Sequence, residues 1–266
     1  MSKKTDGIAP IFKASKFISG LIPSNRLKEI LPTAYYTQFY SRAIGKKTIS
    51  IKGEKFRIVK TLMSIDSVSV MLEYLKYYAP KKGDVIIDAG SFYGIFSLYC
   101  SRKIGPAGKV IAFEIDPINL KILKKNLLLN QREGKNRLSN IALIEKGLWD
   151  KKEESRISIG GSGSAVSDQA LVDVQLEKGD DIIKKMKLKK LDLIKMNIEG
   201  AEIKALHGLK DTIRKFKPKI IVWANHCYNG EITDKKVKAF LKGMGYNLKV
   251  TKDLVVIAEP KKSWTH

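Results

Sequence analysis

The stretch DVIIDAGSFYGIFSLYC, residues 84–100, decides the fold. An apolar run over 84–89 ends in an acid and a glycine, and an apolar pattern of helical spacing begins at Gly94. A buried strand that turns tightly into a helix is the opening unit of an open, doubly wound α/β sheet. Gly90 suits the tight turn and permits close approach to the backbone. Gly94 lets the helix start against the strand end with its N–H groups facing outward. Asp88 supplies a carboxylate able to hold an amino group, and Ser91 and Phe92 complete the turn. A dinucleotide site would read Gly-x-Gly-x-x-Gly here. One acid with Gly-x-x-x-Gly spacing suits a sulfonium-bearing amino acid better than a pyrophosphate.

Outward from this unit, strand and helix patterns alternate, the signature of a parallel sheet. Apolar strands are predicted at 84–89, 109–114, 141–146, 191–196 and 219–225, with helices near 94–103, 117–130, 201–215 and 231–243. Two last strands, 246–250 and 254–259, are separated by Thr251, Lys252 and Asp253 alone, so they must pair antiparallel. The result is a seven-stranded Rossmann-like sheet, mostly parallel, finished by an antiparallel hairpin. Residues 1–83 read as a helical and hairpin extension on the acceptor side, with a hairpin over 48–59 around Gly53 and a helix over 66–78. Residues 84–266 read as the cofactor-binding domain. Within it, 151–176 interrupts the rhythm with a Gly/Ser-rich run and is expected to be an inserted hairpin or lid.

Glu114 ends the second strand, 26 residues after Asp88, and Ile115, Asp116 and Pro117 lead into a helix. An acid there can accept hydrogen bonds from both hydroxyls of a ribose. Together the two features point to a nucleoside cofactor.

Three segments, IIDAGSFYGIFSLYCS, VIAFEIDPINLKILKKNLLLN and LDLIKMNIEGAEIKALHGL, resemble the FkbM-type methyltransferases of the class I superfamily over about residues 84–228. The family wording Asp-x-Gly-x-x-x-Gly-x-x-Ser is matched from Asp88 through Ser97. The later wording Lys-(Ile/Met)-Asp-(Val/Ile)-Glu-Gly-Ala-Glu is matched from Lys195 through Glu202, with Asn197 where the family has Asp. The resemblance implies S-adenosylmethionine as cofactor and methyl transfer to oxygen, commonly on sugars or natural products. It also implies that residues after the third strand, Gly147 and Leu148 among them, surround the adenine.

Asn197, Glu199 and Glu202 lie just beyond a buried strand, where ligands bind in open α/β sheets. Glu199 and Glu202 are candidates to position the acceptor or, together with Asn197, to hold a divalent ion. The two acids also stand where a helix dipole alone would favour them. His226 follows the next strand and is the candidate general base, since an imidazole titrates near neutrality and an alcohol must lose its proton. A metal site built from Asn197 and Asn225 is a lesser alternative, because it is poor in carboxylates, and no metal residue is assigned.

The chain carries 50 Lys and Arg against 27 acids, a net charge of +23, with 16 basic and 5 acidic side chains in residues 1–83. Such a balance favours anionic partners, so the expected acceptor is an anionic glycan, lipid-linked saccharide or related small molecule. An RNA methyltransferase is a rival reading. Against it, the position after the fourth strand lacks the (Asn/Asp)-Pro-Pro-(Tyr/Phe) wording of base-nitrogen methylation, and no RNA-binding module precedes the core. A non-catalytic interaction protein is a third, opposed by the ribose-binding acid. The segment 10–22 has an amphipathic spacing that could rest on a membrane surface. Aromatic runs at 35–40 and 74–78 either line a cleft or pack. Cys100 and Cys227 are expected to be buried thiols, and no apolar run has secretory length, so the expected location is the cytoplasm.

Overall fold

The structure is a computed structural model that describes residues 45–261 apart from 62, 132–137, 139, 158–171 and 229. The expectations for segments 10–22 and 35–40, and for the Gly/Ser-rich run after Ile157, lie outside the described residues.

β1 (Gly45–Ile51) and β2 (Glu54–Lys60) form an antiparallel hairpin, and α1 (Met63–Tyr77) follows. The alternating core then runs β3 (Val85–Ala89), α2 (Ile95–Ile104), β4 (Lys109–Phe113), α3 (Pro117–Gln131) and β5 (Ile141–Ile144). After it come β6 (Gly147–Trp149), β7 (Glu153–Ile157), β8 (Val172–Lys178) and α4 (Gly179–Lys185). The chain resumes with β9 (Leu193–Met196), α5 (Glu202–Gly208), α6 (Lys210–Phe216) and β10 (Lys219–Trp223). A two-residue pair, β11 (Cys227–Tyr228) and β12 (Glu231–Ile232), precedes α7 (Asp234–Gly243), β13 (Tyr246–Val250) and β14 (Val255–Pro260).

The main sheet has seven strands in the order β13-β14-β10-β9-β3-β4-β5. The five from β10 to β5 are parallel, and β14 pairs antiparallel with both β10 and β13. Successive side chains of each central strand enter opposite cores, which is why these strands read as unbroken apolar runs. Ile87, Ile194 and Val222 pack on one face with α4, α5, α6 and α7. Ile86, Leu193 and Ile221 pack on the other with α1, α2 and the β1–β2 hairpin. The hairpin is tied to α3 by side-chain amides: Asn126 Oδ1 accepts from Val59 N at 2.7 Å, and Asn130 bonds both the N and the O of Arg57. No helix among the described residues is long and apolar enough to cross a membrane.

Two expectations need correction. The single helix predicted over 201–215 is two, because the backbone leaves helical geometry at Leu209 (φ −105°, ψ 11°). Asp180, from α4, captures the N–H groups of Asp211 and Thr212 and so caps the second helix from a distance. Cys227 is exposed rather than buried, since β11 and β12 form a hairpin outside the sheet; neither cysteine is in a disulfide.

From β3 the chain winds one way to β4 and β5 and the other way to β9 and β10. The crevice above the carboxyl ends of β3 and β9 is therefore the switch point where an open sheet binds ligands.

Candidate functional site

A cavity of about 180 Å³ opens at that switch point. A buried water needs roughly 10–15 Å³ on such a scale, so this is space for a ligand. Of the residues singled out in the sequence, Gly90, Ser91, Phe92, Glu114, Ile115, Gly147, Leu148, Asn197 and Glu199 line it. Asp88, Gly94 and His226 do not.

The turn after β3 is held by the end of β4. Gly90 N and Ser91 N both donate to the Phe113 carbonyl, and Ser91 Oγ donates to it as well at 2.9 Å. Gly90 has φ +74°, and a Cβ there would stand 1.9 Å from the Asn197 carbonyl oxygen. What comes close to this glycine is thus the neighbouring loop rather than a ligand. Gly94, at φ +76°, opens α2 with Leu123 packed against it. Asp88 is fully buried beneath the turn, where its carboxylate meets Lys195 Nζ at 2.9 Å and accepts from Ser97 Oγ at 2.6 Å. It holds up the floor of the cavity and does not face the ligand space.

Glu114 is 7% exposed at the cavity wall. Its Oε1 accepts from Ile115 N and Asp116 N at 2.9 Å each, and its Oε2 accepts from Phe92 N at 2.7 Å. A carboxylate has about four acceptor positions, so Oε2 retains one for a hydroxyl in the cavity. Burial pushes this carboxyl up to about 7, against the three backbone N–H groups that favour the charge. The residues present therefore fit a ribose.

The opposite wall is acidic. Glu202 is fully buried; its Oε1 accepts from Gly200 N and Ile198 N and lies 2.7 Å from His226 Nδ1. His226 Nε2 lies 3.5 Å from Glu199 Oε1. The imidazole thus reaches the cavity only through Glu199. Burial pulls the His226 pKa down, but the Glu202 hydrogen bond and the charges of Glu199 and Glu202 outweigh it, and the net direction is up. Glu199 and Phe92, on facing loops, both hold left-handed backbone (φ +54° and +53°), a strain that non-glycine residues keep mainly at functional sites. Among the described residues no group of three or more His, Cys, Asp or Glu is placed to hold a metal ion.

Several lining residues escaped the sequence reading. Ser67, Val70, Met71 and Tyr74 come from α1, Ile157 and Leu176 from the small sheet β6-β8-β7, and Lys195 from β9. The run 74–78 gave a partial signal for Tyr74, while nothing local marks Ile157 or Leu176. Trp149 lines the cavity yet is 4% exposed, packed edge-on against Tyr228.

The family model described as Methyltransferase FkbM domain matches residues 88–248. The chain is 24% identical over 199 residues to methyltransferase sdnD of Sordaria araneosa, covering 61% of this chain and 73% of that protein. It is 26% identical over 208 residues to the tRNA (adenine(57)-N(1)/adenine(58)-N(1))-methyltransferase TrmI of Methanocaldococcus jannaschii, covering 73% and 67%. The solved structure of an FkbM methyltransferase from Methylobacillus flagellatus KT aligns at 17% identity with a TM-score of 0.48, covering 86% of this chain. This chain spans 60% of that protein's length.

Proposed function

The chain belongs to the FkbM methyltransferase family, and from that premise we propose that it moves the methyl group of S-adenosylmethionine to a hydroxyl or carboxyl oxygen of a saccharide, lipid-linked glycan or related small molecule. The observation that carries this reading is the pairing of two unlike walls across one cavity: a backbone-held acid, Glu114, on one side and the Glu199–His226–Glu202 chain on the other. Glu114 follows β4 and Glu199 follows β9, with β3 between them. Two strand spacings are roughly 10 Å, the scale on which a nucleoside and its reacting end separate.

The bound cofactor supplies an electrophilic methyl group on sulfur, which leaves as a neutral thioether. Glu114 Oε2 accepts a ribose hydroxyl, and Ile115, Gly147 and Leu148 enclose the base. The acceptor oxygen gains the methyl carbon and loses a proton, and the proton enters the acidic chain at Glu199 and is shared with His226. Glu202 fixes the ring through Nδ1, so that Nε2 faces Glu199. In-line displacement needs alignment above all, to which Val70 and Met71 of α1 on the cavity wall contribute. Calorimetric titration of S-adenosylmethionine into wild type and Glu114→Ala tests the cofactor end. Saturable binding that collapses in the variant supports it, and no binding to wild type sinks it.

A second reading, methylation of RNA, draws on the net charge of +23 and on the likeness to TrmI. A salt-dependent mobility shift with tRNA would favour it over the small-molecule acceptor.

A further inference from the structure

The Tyr74 hydroxyl and Asn197 Oδ1 are buried polar atoms on this cavity with no hydrogen-bond partner among the described residues. Tyr74 is 1% exposed, its ring held edge-on by Phe96 and Trp223. A phenol so packed cannot swing to water, and an unmet hydroxyl in such a place costs free energy unless a ligand meets it. Burial, then the charges of Asp88, Glu199 and Glu202, raise its pKa well above the ordinary value, so it stays a donor. Asn197 Oδ1, as assigned, is an acceptor. Lys195 and Asn197 are two residues apart at the end of β9, and Lys195 Nζ sits 5.3 Å from the centre of the Tyr74 ring. One cavity thus carries an unmet donor from α1 and an unmet acceptor from the end of β9.

We propose that Tyr74 and Asn197 bracket the amino-acid end of the cofactor, Tyr74 donating to its carboxylate and Asn197 Oδ1 accepting from its α-ammonium. This rests on the reading of S-adenosylmethionine as cofactor and adds what selects its zwitterionic end. Asp88 alone would repel a carboxylate there. Lys195, 5% exposed, cancels that charge at 2.9 Å and also donates to the Gly90 carbonyl at 2.7 Å. The nearby negative charge of Glu199 favours the ammonium. The asparagine at 197 fits as well, since a neutral acceptor leaves the carboxylate unopposed where an aspartate would add a second anion.

The test is calorimetric titration of the full chain with three ligands: S-adenosylmethionine, its decarboxylated form and 5′-methylthioadenosine, which lacks the amino-acid end. Wild type should prefer S-adenosylmethionine over the decarboxylated form by about tenfold or more. Tyr74→Phe, which keeps the ring, should shrink that preference to about twofold and leave 5′-methylthioadenosine unchanged. Asn197→Ala should weaken the two amine-bearing ligands alike and spare the third. Equal affinity of wild type for the first two ligands overturns the proposal without any variant. So does a Tyr74→Phe protein that keeps the preference, or one that changes only the KM of the methyl acceptor, which would give the hydroxyl to the acceptor instead. If wild type binds none of the three, the cofactor reading falls first and takes this one with it.

Discussion

The two walls of the cavity are built by different means. On the β3–β4 side, one carboxylate collects three backbone N–H groups, and the turn it faces is pinned by backbone bonds to Phe113. On the β9–β10 side, Glu199, His226 and Glu202 meet through their side chains across two loops, with Glu202 fully buried. A wall made of backbone needs only a few residue types at fixed spacing and tolerates change in its surroundings. A wall made of side chains depends on each member's rotamer and charge. The first suits the constant part of a reaction and the second suits its chemistry.

The strongest way to break this division is to wedge the walls apart at the point where they touch. Gly90→Ala puts a methyl 1.9 Å from the Asn197 carbonyl oxygen, on a residue whose φ of +74° already disfavours a side chain. The atoms within 3 Å, the carbonyl oxygen and carbon of Asn197, are both backbone, so the loops must move together. Urea unfolding should show a loss of more than about 4 kcal/mol or no cooperative fold at all. A stable Gly90→Ala protein that binds cofactor normally would mean that the two loops are independent.

The next largest effect should separate the walls by function. His226→Gln keeps the residue's size and polarity while removing the titrating group, and should lower kcat by about 10²–10⁴. Cofactor affinity should stay within about twofold, since the imidazole lies outside the cavity lining. A variant that loses cofactor binding instead would merge the two walls into one unit.

The asymmetry also explains what could be read in the sequence. The turn at Gly90 and Gly94 is legible because a backbone-built turn leaves a short contiguous trace. The seven strands were legible for a similar reason: each is apolar on both faces, and the link at 251–253 is too short for a crossover. The acids and histidine of the second wall could be named as candidates, but the sequence could not show that Glu202 bonds His226 or that Glu199 lines the cavity while His226 does not. Asp88 shows the opposite case. Its motif position suggests a ligand contact, while Lys195, 107 residues on, takes its charge. Ile157 and Leu176 reach the cavity because β8 pairs parallel with β6 and antiparallel with β7, and no local pattern encodes the β6–β8 contact.

A smaller effect tests the first wall by pH. On the proposed reading Glu114 accepts ribose hydroxyls best when ionised, yet burial holds its pKa at about 7 in the free protein. Binding favours the charged form, so cofactor affinity should be level above pH 7 and fall by up to about tenfold per unit below it. Glu114→Gln should bind about tenfold more weakly at pH 8 and lose most of this slope. The same dependence in both proteins would place the titrating group elsewhere.

The finest distinction concerns Glu202. It raises the His226 pKa against the pull of burial, and the proposed mechanism needs His226 neutral. The acid limb of the kcat profile should therefore lie above the ordinary imidazole value of about 6.5. Glu202→Gln keeps an oxygen for Nδ1 and for the N–H groups of Ile198 and Gly200, but removes the charge. With burial left less opposed, the limb should move to lower pH, by less than about one unit if Glu199 still contributes. The plateau rate should fall only modestly, because the ring keeps its orientation. A limb that stays in place while the plateau collapses would show that Glu202 acts by holding the loop rather than by setting the charge on His226.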